Sequence, residues 1–305
     1  MNPKLQTIIS WLAWPVLMVM CISITAYGFV NDMTFVTFNI AYFGLALTLF
    51  FLERLMPHEE KWNDDDGQLW PNIAHTLTSK GTVQGLFIFG GIIGITEFIE
   101  PVENPGYGIW PREWPLFMQI VLGLIIAEFG MYWAHRLAHE WYPLWRFHAV
   151  HHSVTRLWII NTGRFHFVDS LISILMAIAI LLLLGAPLEV ITWLSLTTAF
   201  IGMLTHCNVE MRFGSLSWWF NTPELHRWHH SRDDWEGNKN FGENLMIWDV
   251  LFGTWFNPDR RPPLDIGIKD DMPAKFTDQL AWPFKELQLR HPETGKFIIV
   301  HSTKR

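Results

Sequence analysis

The residues of this chain that could do chemistry are histidines, and eight of them fall in two short segments. The first segment, residues 135–152, contains the spacings HxxxH and HxxHH, and the second, residues 224–230, repeats HxxHH. Residues three and four apart share one face of a helix, so each segment is expected to direct its imidazoles toward one point. These two segments, called the histidine boxes, contain His135, His139, His148, His151, His152, His226, His229 and His230.

Such a concentration of imidazoles predicts a metal centre. Imidazole suits zinc, copper, iron and nickel, and a single zinc ion takes about four ligands. Eight ligands are therefore too many for one ion and fit two. His206, at the end of an apolar segment, is predicted as a ninth ligand. His166, Asn208 and Asp233 are further candidates, either as ligands or as groups that support a ligand.

A ligating imidazole needs its second ring nitrogen oriented by a carboxylate or a carbonyl oxygen. Several polar residues close to the boxes in sequence could do this, and each could equally be a surface residue. They are Glu140, Asp169, Asn208, Glu224, Asp233, Asp234 and Glu243.

The composition is typical of a membrane protein. Half of the 305 residues are hydrophobic and 17% are charged, whereas a soluble domain has about 25% charged residues. The net charge of −7 and the lack of a basic run argue against a nucleic-acid partner. The two cysteines are too few for an iron–sulfur cluster or a four-thiolate zinc site.

Apolar runs of about 20 residues, the length that crosses a bilayer, position the histidine boxes. We predict an all-α integral membrane protein whose six membrane helices form hairpins beneath a cytoplasmic helical cap. The predicted spans are residues 8–30, 35–55, 73–98, 116–133, 168–184 and 188–204. The chain is interpreted as a single membrane domain, with N-terminal spans in residues 1–115, a histidine-box core in 116–258 and a cytoplasmic tail in 259–305.

The span count places both boxes on the side of the N-terminus, because four spans precede the first box and six precede the second. The opposite side has only Arg112 as a basic residue. Since basic loops stay in the cytoplasm, the boxes and both termini are predicted to be cytoplasmic, at a bacterial inner membrane or the endoplasmic reticulum. The basic residues on the box side include Lys4, Arg54, Lys61, Arg136, Arg146, Arg156 and Arg164.

Two redox-active ions beside apolar helices indicate oxygen chemistry on a lipid. Breaking an unactivated C–H bond needs a strong metal-bound oxidant, which no standard side chain provides. The sequence has no dinucleotide-binding fingerprint, no haem-attachment motif and no cysteine cluster. We therefore predict a separate electron donor: a reductase, a ferredoxin, a cytochrome or a reduced pterin.

The order of the motifs resembles the fatty acid hydroxylase/sterol desaturase superfamily over residues 116–258. The blocks NTPELHRWHH and NKNFGENLMIWDVLFGTWF are similar to the C-terminal signature of these enzymes, the alkylglycerol monooxygenases in particular. The resemblance implies a membrane-bound centre of two iron ions that uses O2 and two electrons. An all-imidazole site can also take up zinc in place of iron. It also implies that the eight box histidines are the ligands and that His206 corresponds to the intermediate histidine of the family.

Four functions stay open at this point. A lipid hydroxylase and a lipid or sterol desaturase would use the same metals, and the three residues within HxxxH favour the hydroxylase. A metal transporter would place its ligands near the bilayer midplane, whereas these boxes flank the spans. A zinc-dependent lipid hydrolase would need a general base such as that of HExxH, a motif that is absent.

Overall fold

The computed structural model describes residues 2–81 and 108–284, which form α-helices, short 3₁₀ segments and isolated bridges without a β-strand. The all-α prediction is confirmed for these two ranges. In chain order their α-helices are α1 (Pro3–Val30), α2 (Thr34–Leu55), α3 (Leu69–His75), α4 (Leu116–Glu140), α5 (Tyr142–His152), α6 (Phe167–Leu184), α7 (Leu188–Thr205), α8 (Pro223–His229), α9 (Asp234–Gly237), α10 (Ile247–Phe252) and α11 (Phe276–Ala281).

Five of these helices are long and apolar enough to cross a membrane: α1, α2, α4, α6 and α7. Much of their apolar surface is exposed; only 11% of the most apolar stretch of α6 is buried, for example. Such a surface is stable in lipid and unfavourable in water. The predicted third span begins as α3 and a π-helix at Thr76–Lys80. Its part beyond residue 81 lies outside the described residues.

The first box begins on a membrane helix, because α4 continues to Glu140, seven residues beyond the predicted end of its span. This extension occurs because one face of the extra turns is buried, at His135, Ala138 and His139. The apolar run used for the prediction ends where the buried face becomes polar. The helix therefore continues beyond the segment that hydropathy identifies.

The predicted tight hairpin between the last two spans is confirmed. Gly185 ends α6 with a φ of +82°, a conformation that glycine adopts at little cost, and the Ala186 N–H donates to the Leu181 carbonyl at 2.9 Å. A second glycine, Gly130, lets α4 approach α6, since a Cβ there would lie 2.3 Å from the Met176 carbonyl oxygen. The two helices that flank the site are therefore packed almost backbone to backbone.

The cap lies beyond the ends of the membrane helices. It consists of α5, α8 and the loops that connect them to the membrane helices. The final described segment folds back over it: Gln279 of α11 bonds His75 at 3.0 Å, and Arg146 of α5 donates to the Pro283 carbonyl at 2.8 Å. The described part of the predicted tail, residues 259–284, thus packs against α3 and α5.

Candidate metal centre

All nine predicted metal ligands come together where the membrane helices meet the cap, as two buried groups. Within each group, the available ligand atoms lie within 4.8 Å of one another. The five-histidine group consists of His135, His139, His148, His152 and His229, and the four-histidine group consists of His151, His206, His226 and His230.

Each histidine box is divided between the two groups. On α5, His148 and His152 are one turn apart and enter the five-histidine group, whereas the adjacent His151 enters the four-histidine group. At α8 and its C-cap, His226 and His230 are likewise one turn apart and enter the four-histidine group, whereas the adjacent His229 enters the five-histidine group. Neighbouring residues on a helix point about 100° apart, so two consecutive histidines reach different points. The expectation that each box converges on one point was wrong.

The Nε2 atoms of the five-histidine group face one another. His152 Nε2 lies 3.1 Å from His139 Nε2 and 3.0 Å from His229 Nε2. The Nε2 atoms of His135 and His148 are buried and have no hydrogen-bond partner among the described residues. Five imidazoles therefore present the same ring nitrogen to one small volume.

The four-histidine group repeats this arrangement. His226 Nε2 lies 2.8 Å from His206 Nε2 and 3.0 Å from His230 Nε2. His230 Nε2 in turn lies 3.2 Å from His151 Nε2. Two nitrogens bound to one tetrahedral ion are separated by about 3–4 Å, given metal–nitrogen bonds of about 2.0–2.1 Å. The spacing is that of ligands around an ion.

Hydrogen bonds on the other ring nitrogen define the protonation of four imidazoles in the five-histidine group. His135 Nδ1 donates to the Phe241 carbonyl at 2.7 Å and His229 Nδ1 to the Lys239 carbonyl at 2.8 Å. His148 Nδ1 meets the Asp169 carboxylate at 2.8 Å. The acceptor for His139 Nδ1 is the Asn238 side-chain oxygen, at 3.1 Å.

Two imidazoles of the four-histidine group are oriented similarly. His151 Nδ1 lies 3.2 Å from the Arg164 carbonyl, and His206 Nδ1 lies 3.1 Å from the Asn161 side-chain oxygen. Because an oxygen acceptor takes the hydrogen of Nδ1, each ring keeps a lone pair on Nε2. This tautomer is assigned from the hydrogen-bond network.

The residues therefore fit bound cations. Several Nε2 lone pairs about 3 Å apart repel one another in a buried site, and a positive ion turns that repulsion into coordination. Burial, reinforced by neighbouring imidazoles, holds the pKa of five box histidines well below the usual range: His151, His152, His226, His229 and His230. These rings are consequently in the neutral, ligating form at pH 7.

The three further candidates lie outside both groups. His166 caps α6, accepting from the Val168 N–H at 3.2 Å. The side-chain amide of Asn208 bonds the main chain of Glu59, and Asp233 caps α9. In residues 2–81 and 108–284, these side chains are therefore used in the fold instead of joining the box histidines.

Of the seven residues predicted to orient a ligand, Asp169 makes that contact. Sequence inspection missed Asn161 and Asn238, which follow no box pattern, and the three main-chain carbonyls that also serve. An amide 45 residues before His206 gives no sequence signal. The fold alone brings the side chain of Asn161 to the ring of His206.

The loop that carries the Phe241 carbonyl is held by two buried carboxyl groups. Asp249 accepts from the Phe241 and Gly242 N–H groups at 2.8 and 2.7 Å. Glu128 of α4 accepts from the Asn244 N–H at 3.1 Å. Burial raises the pKa of Asp249 to about 6. These bonds fix the loop, and the loop in turn fixes the His135 ring.

Known proteins are similar to this chain over its core and beyond. The family model described as fatty acid hydroxylase matches residues 120–254. An ornithine lipid hydroxylase of Rhizobium tropici is 49% identical over 287 residues, which cover 93% of this chain and 86% of that protein.

Alkylglycerol monooxygenases are similar over a shorter stretch. That of Xenopus tropicalis is 31% identical over 51% of this chain and 33% of its own length. That of Homo sapiens is 30% identical over 60% of this chain and 40% of its own length. The chain thus spans less than half the length of either monooxygenase. No solved structure matches this chain significantly.

Proposed function

This chain belongs to the fatty acid hydroxylase family and is a hydroxylating oxidoreductase, and on that premise we propose that it is a membrane di-iron enzyme that inserts one oxygen atom of O2 into a C–H bond of a lipid. The convergence of nine buried imidazoles in two adjacent groups carries this proposal. Neutral imidazole is a ligand that iron accepts, and zinc could substitute for it.

The five-histidine group and the four-histidine group would each hold one iron ion. When bound, the two ions supply the oxygen activation and electron transfer that no standard side chain provides. The protein's own contribution is geometric. Asp169, Asn161, Asn238 and the main-chain carbonyls hold the imidazoles, and burial of the histidines keeps water from the site.

The substrate reaches this centre from the bilayer. His135 and His139 lie on the last turns of the membrane helix α4, and His206 directly follows α7. A lipid chain lying along these helices would have its carbon atoms close to the imidazoles. Ornithine lipid is the first substrate to test, because the Rhizobium tropici relative is named for it and shares nearly half of its aligned residues.

The electrons would come from a separate donor on the cytoplasmic side, where both histidine boxes and the termini are proposed to lie. The distribution of basic residues supports this orientation, since Arg112 lies at the opposite end of the spans from Lys4, Arg54 and Lys61. A reductase, a ferredoxin, a cytochrome or a reduced pterin could each supply these electrons from outside the chain.

The test uses the full chain purified in detergent, with iron and zinc quantified together. We expect about two irons per chain, and, with ornithine lipid, ¹⁸O₂ and a reducing system, a product heavier by one ¹⁸O atom. A product lighter by two hydrogens would instead identify a desaturase. One zinc and no iron after growth in iron-rich medium would overturn the di-iron proposal.

Two variants and a control assign the ions to the groups. His229→Ala removes a ligand from the five-histidine group and His151→Ala removes one from the four-histidine group, so both should lose metal and turnover. His166→Ala is the matched control, since His166 is buried but lies outside both groups. Full activity in either box variant would contradict the ligand assignment.

A further inference from the structure

The short helix α10 lies beside the apolar part of the membrane helix α4. The Trp248 indole N–H donates to the Ile125 carbonyl at 2.9 Å, and the ring centroids of Trp248 and Phe129 are 4.8 Å apart. At the other end of α10, the ring centroid of Phe252 is 5.4 Å from that of Trp133. The two helices therefore run side by side over about two turns of α4.

These contacts are deeper than the level at which α4 becomes polar. Arg136 is the first charged residue of α4 whose side chain is partly exposed, because Glu128 is fully buried. Ile125 precedes Arg136 by 11 residues, which is about 16 Å along the helix axis. A hydrocarbon core is about 30 Å thick, so Ile125 lies near its middle. The helix α10 is therefore at the level of one leaflet.

The buried carboxyl of α4 supports this placement. Glu128 accepts from the Asn244 N–H at 3.1 Å and from the Asn244 side-chain amide at 3.0 Å. Irregular backbone at membrane depth is stable only where protein groups satisfy its hydrogen bonds. Glu128 provides this for the loop that leads into α10. A charged residue in the interior of a membrane helix is thereby explained.

The residues of α10 are arranged as in a helix that faces lipid. Its one charged residue, Asp249, is buried and accepts from two main-chain N–H groups. The apolar side chains of Val250, Leu251 and Phe252 are instead 44%, 67% and 38% exposed among the described residues. A surface helix in water has the opposite arrangement, with polar residues outward.

Two exposed tryptophans continue this apolar surface. Trp218 and Trp219 are 48% and 63% exposed, and the Trp219 carbonyl accepts from the N–H of Met246, directly before α10, at 3.0 Å. The next residue, Phe220, packs against Trp14 of the membrane helix α1, with ring centroids 5.0 Å apart. Tryptophan is enriched where hydrocarbon meets headgroups. This segment therefore has the composition and the position of a membrane boundary.

We propose that α10 is immersed in the bilayer leaflet on the histidine-box side, with Leu251 against acyl chains and with Trp218 and Trp219 at the headgroup boundary. The surface is continuous with the lipid-facing side of α4, which identifies lipid as its occupant. A water-soluble protein partner would have to enter the hydrocarbon to reach Leu251.

The immersed helix is connected to the five-histidine group. Asp249 of α10 accepts from the Phe241 N–H at 2.8 Å, and the Phe241 carbonyl accepts from His135 Nδ1 at 2.7 Å. Lipid that holds α10 in place thus supports the orientation of one imidazole. The proposal depends on the chain being an integral membrane protein, and neither the identity of the metal nor turnover enters it.

Spin labels on the full chain in nanodiscs of palmitoyl-oleoyl-phosphatidylcholine test the depth of α10. The label is placed by Leu251→Cys after replacement of the two buried cysteines, Cys21 and Cys207, by alanine. Oxygen collects in hydrocarbon, whereas a water-soluble nickel chelate is excluded from it. Collisions of each reagent with the label are measured by electron paramagnetic resonance.

Two matched labels define the limits of the experiment. Val121→Cys labels an exposed position within the apolar part of α4. Leu264→Cys labels an equally apolar residue that is 49% exposed beside the charged residues Asp64 and Arg156. We expect the label at Leu251 to meet oxygen as often as the label at Val121, and the nickel chelate about tenfold less often than the label at Leu264.

Either of two other results would overturn the proposal. Frequent collisions of the Leu251 label with the nickel chelate, as at Leu264, would place α10 in water. Shielding of the Leu251 label from both reagents would show that protein covers the helix, such as a second copy of this chain.

A polar substitution gives an independent test. Leu251→Gln would place an amide in hydrocarbon without a partner, and we expect the melting temperature in the same nanodiscs to fall by about 4 °C. Leu264→Gln is the matched control and should leave the melting temperature unchanged. Equal melting temperatures for the two variants would contradict the immersion of α10.

Discussion

The two histidine groups are built from overlapping helices but differ in how their rings are held. Four of the five rings in the five-histidine group have an oxygen acceptor on Nδ1, one of them the carboxylate of Asp169. In the four-histidine group, Nδ1 of His226 and of His230 is buried with no partner among the described residues. An acceptor on Nδ1 fixes the ring and makes it a better ligand. The five-histidine group should therefore bind its ion more tightly.

Removal of one ligand from each group gives the largest expected effect. His139→Ala and His206→Ala should each lower the metal content by about one ion per chain and abolish turnover, because an ion that loses a ligand from a closed imidazole set is bound far more weakly. Metal analysis by mass spectrometry measures the stoichiometry. If either variant kept both ions, the division of the nine histidines into two sites would be wrong.

Loss of the carboxylate behind the five-histidine group comes next. Asp169→Asn keeps an oxygen near His148 Nδ1 but removes its charge, so we expect metal affinity or activity to fall about 10- to 100-fold. Competition with a fluorescent chelator measures the affinity. Asp265→Asn is the control, because Asp265 is exposed and paired with Arg232. A wild-type affinity would show that the negative charge behind His148 contributes nothing to metal binding.

The neutral acceptor behind the four-histidine group should matter less. Asn161→Ala removes the oxygen near His206 Nδ1, and we expect about tenfold weaker binding at that site only. Asn161 also accepts from the Trp158 N–H at 3.2 Å and donates to the Arg156 carbonyl at 2.7 Å. Asn161→Asp keeps the two contacts of the oxygen and loses only the donated bond, so it separates ring orientation from the packing of this loop. If both variants lose metal equally, the contact to His206 is not the cause.

The smallest expected effect is a difference between the two histidine groups in the pH at which each releases its ion. Burial lowers the pKa of box histidines such as His151 and His229, so protons should compete with metal only well below the usual histidine pKa. Metal binding is thus retained as the pH falls through 6.5 and is lost at lower pH. The four-histidine group should release its ion first; simultaneous release of both ions would remove the distinction between the groups.

The sequence could predict a large part of the site because the type and spacing of residues identify potential metal ligands. Nine histidines were identified as ligands, and all nine converge. Hydropathy predicted the five described membrane helices, since a bilayer demands long apolar segments whatever their tertiary contacts. The metal-ligand roles themselves remain a prediction until ions are measured.

Sequence patterns could not predict which histidine joins which ion. HxxHH appears as one motif along the chain, yet the 100° rotation between neighbours sends His151 and His152 to different groups. The acceptors behind the rings were equally hidden, because Asn161 and Asn238 meet their histidines only through long-range folding.

The sequence by itself determined the chemistry available to this protein: imidazole ligands in number, apolar helices to hold them at a membrane, and membership of a hydroxylase family. Tertiary structure alone decided how the ligands are divided between two groups and how their rings are oriented. The physical reason is the separation along the chain over which each effect acts. Helix periodicity and hydropathy act over a few residues, whereas the contacts that orient His206 and His135 join residues 45 and 106 positions apart.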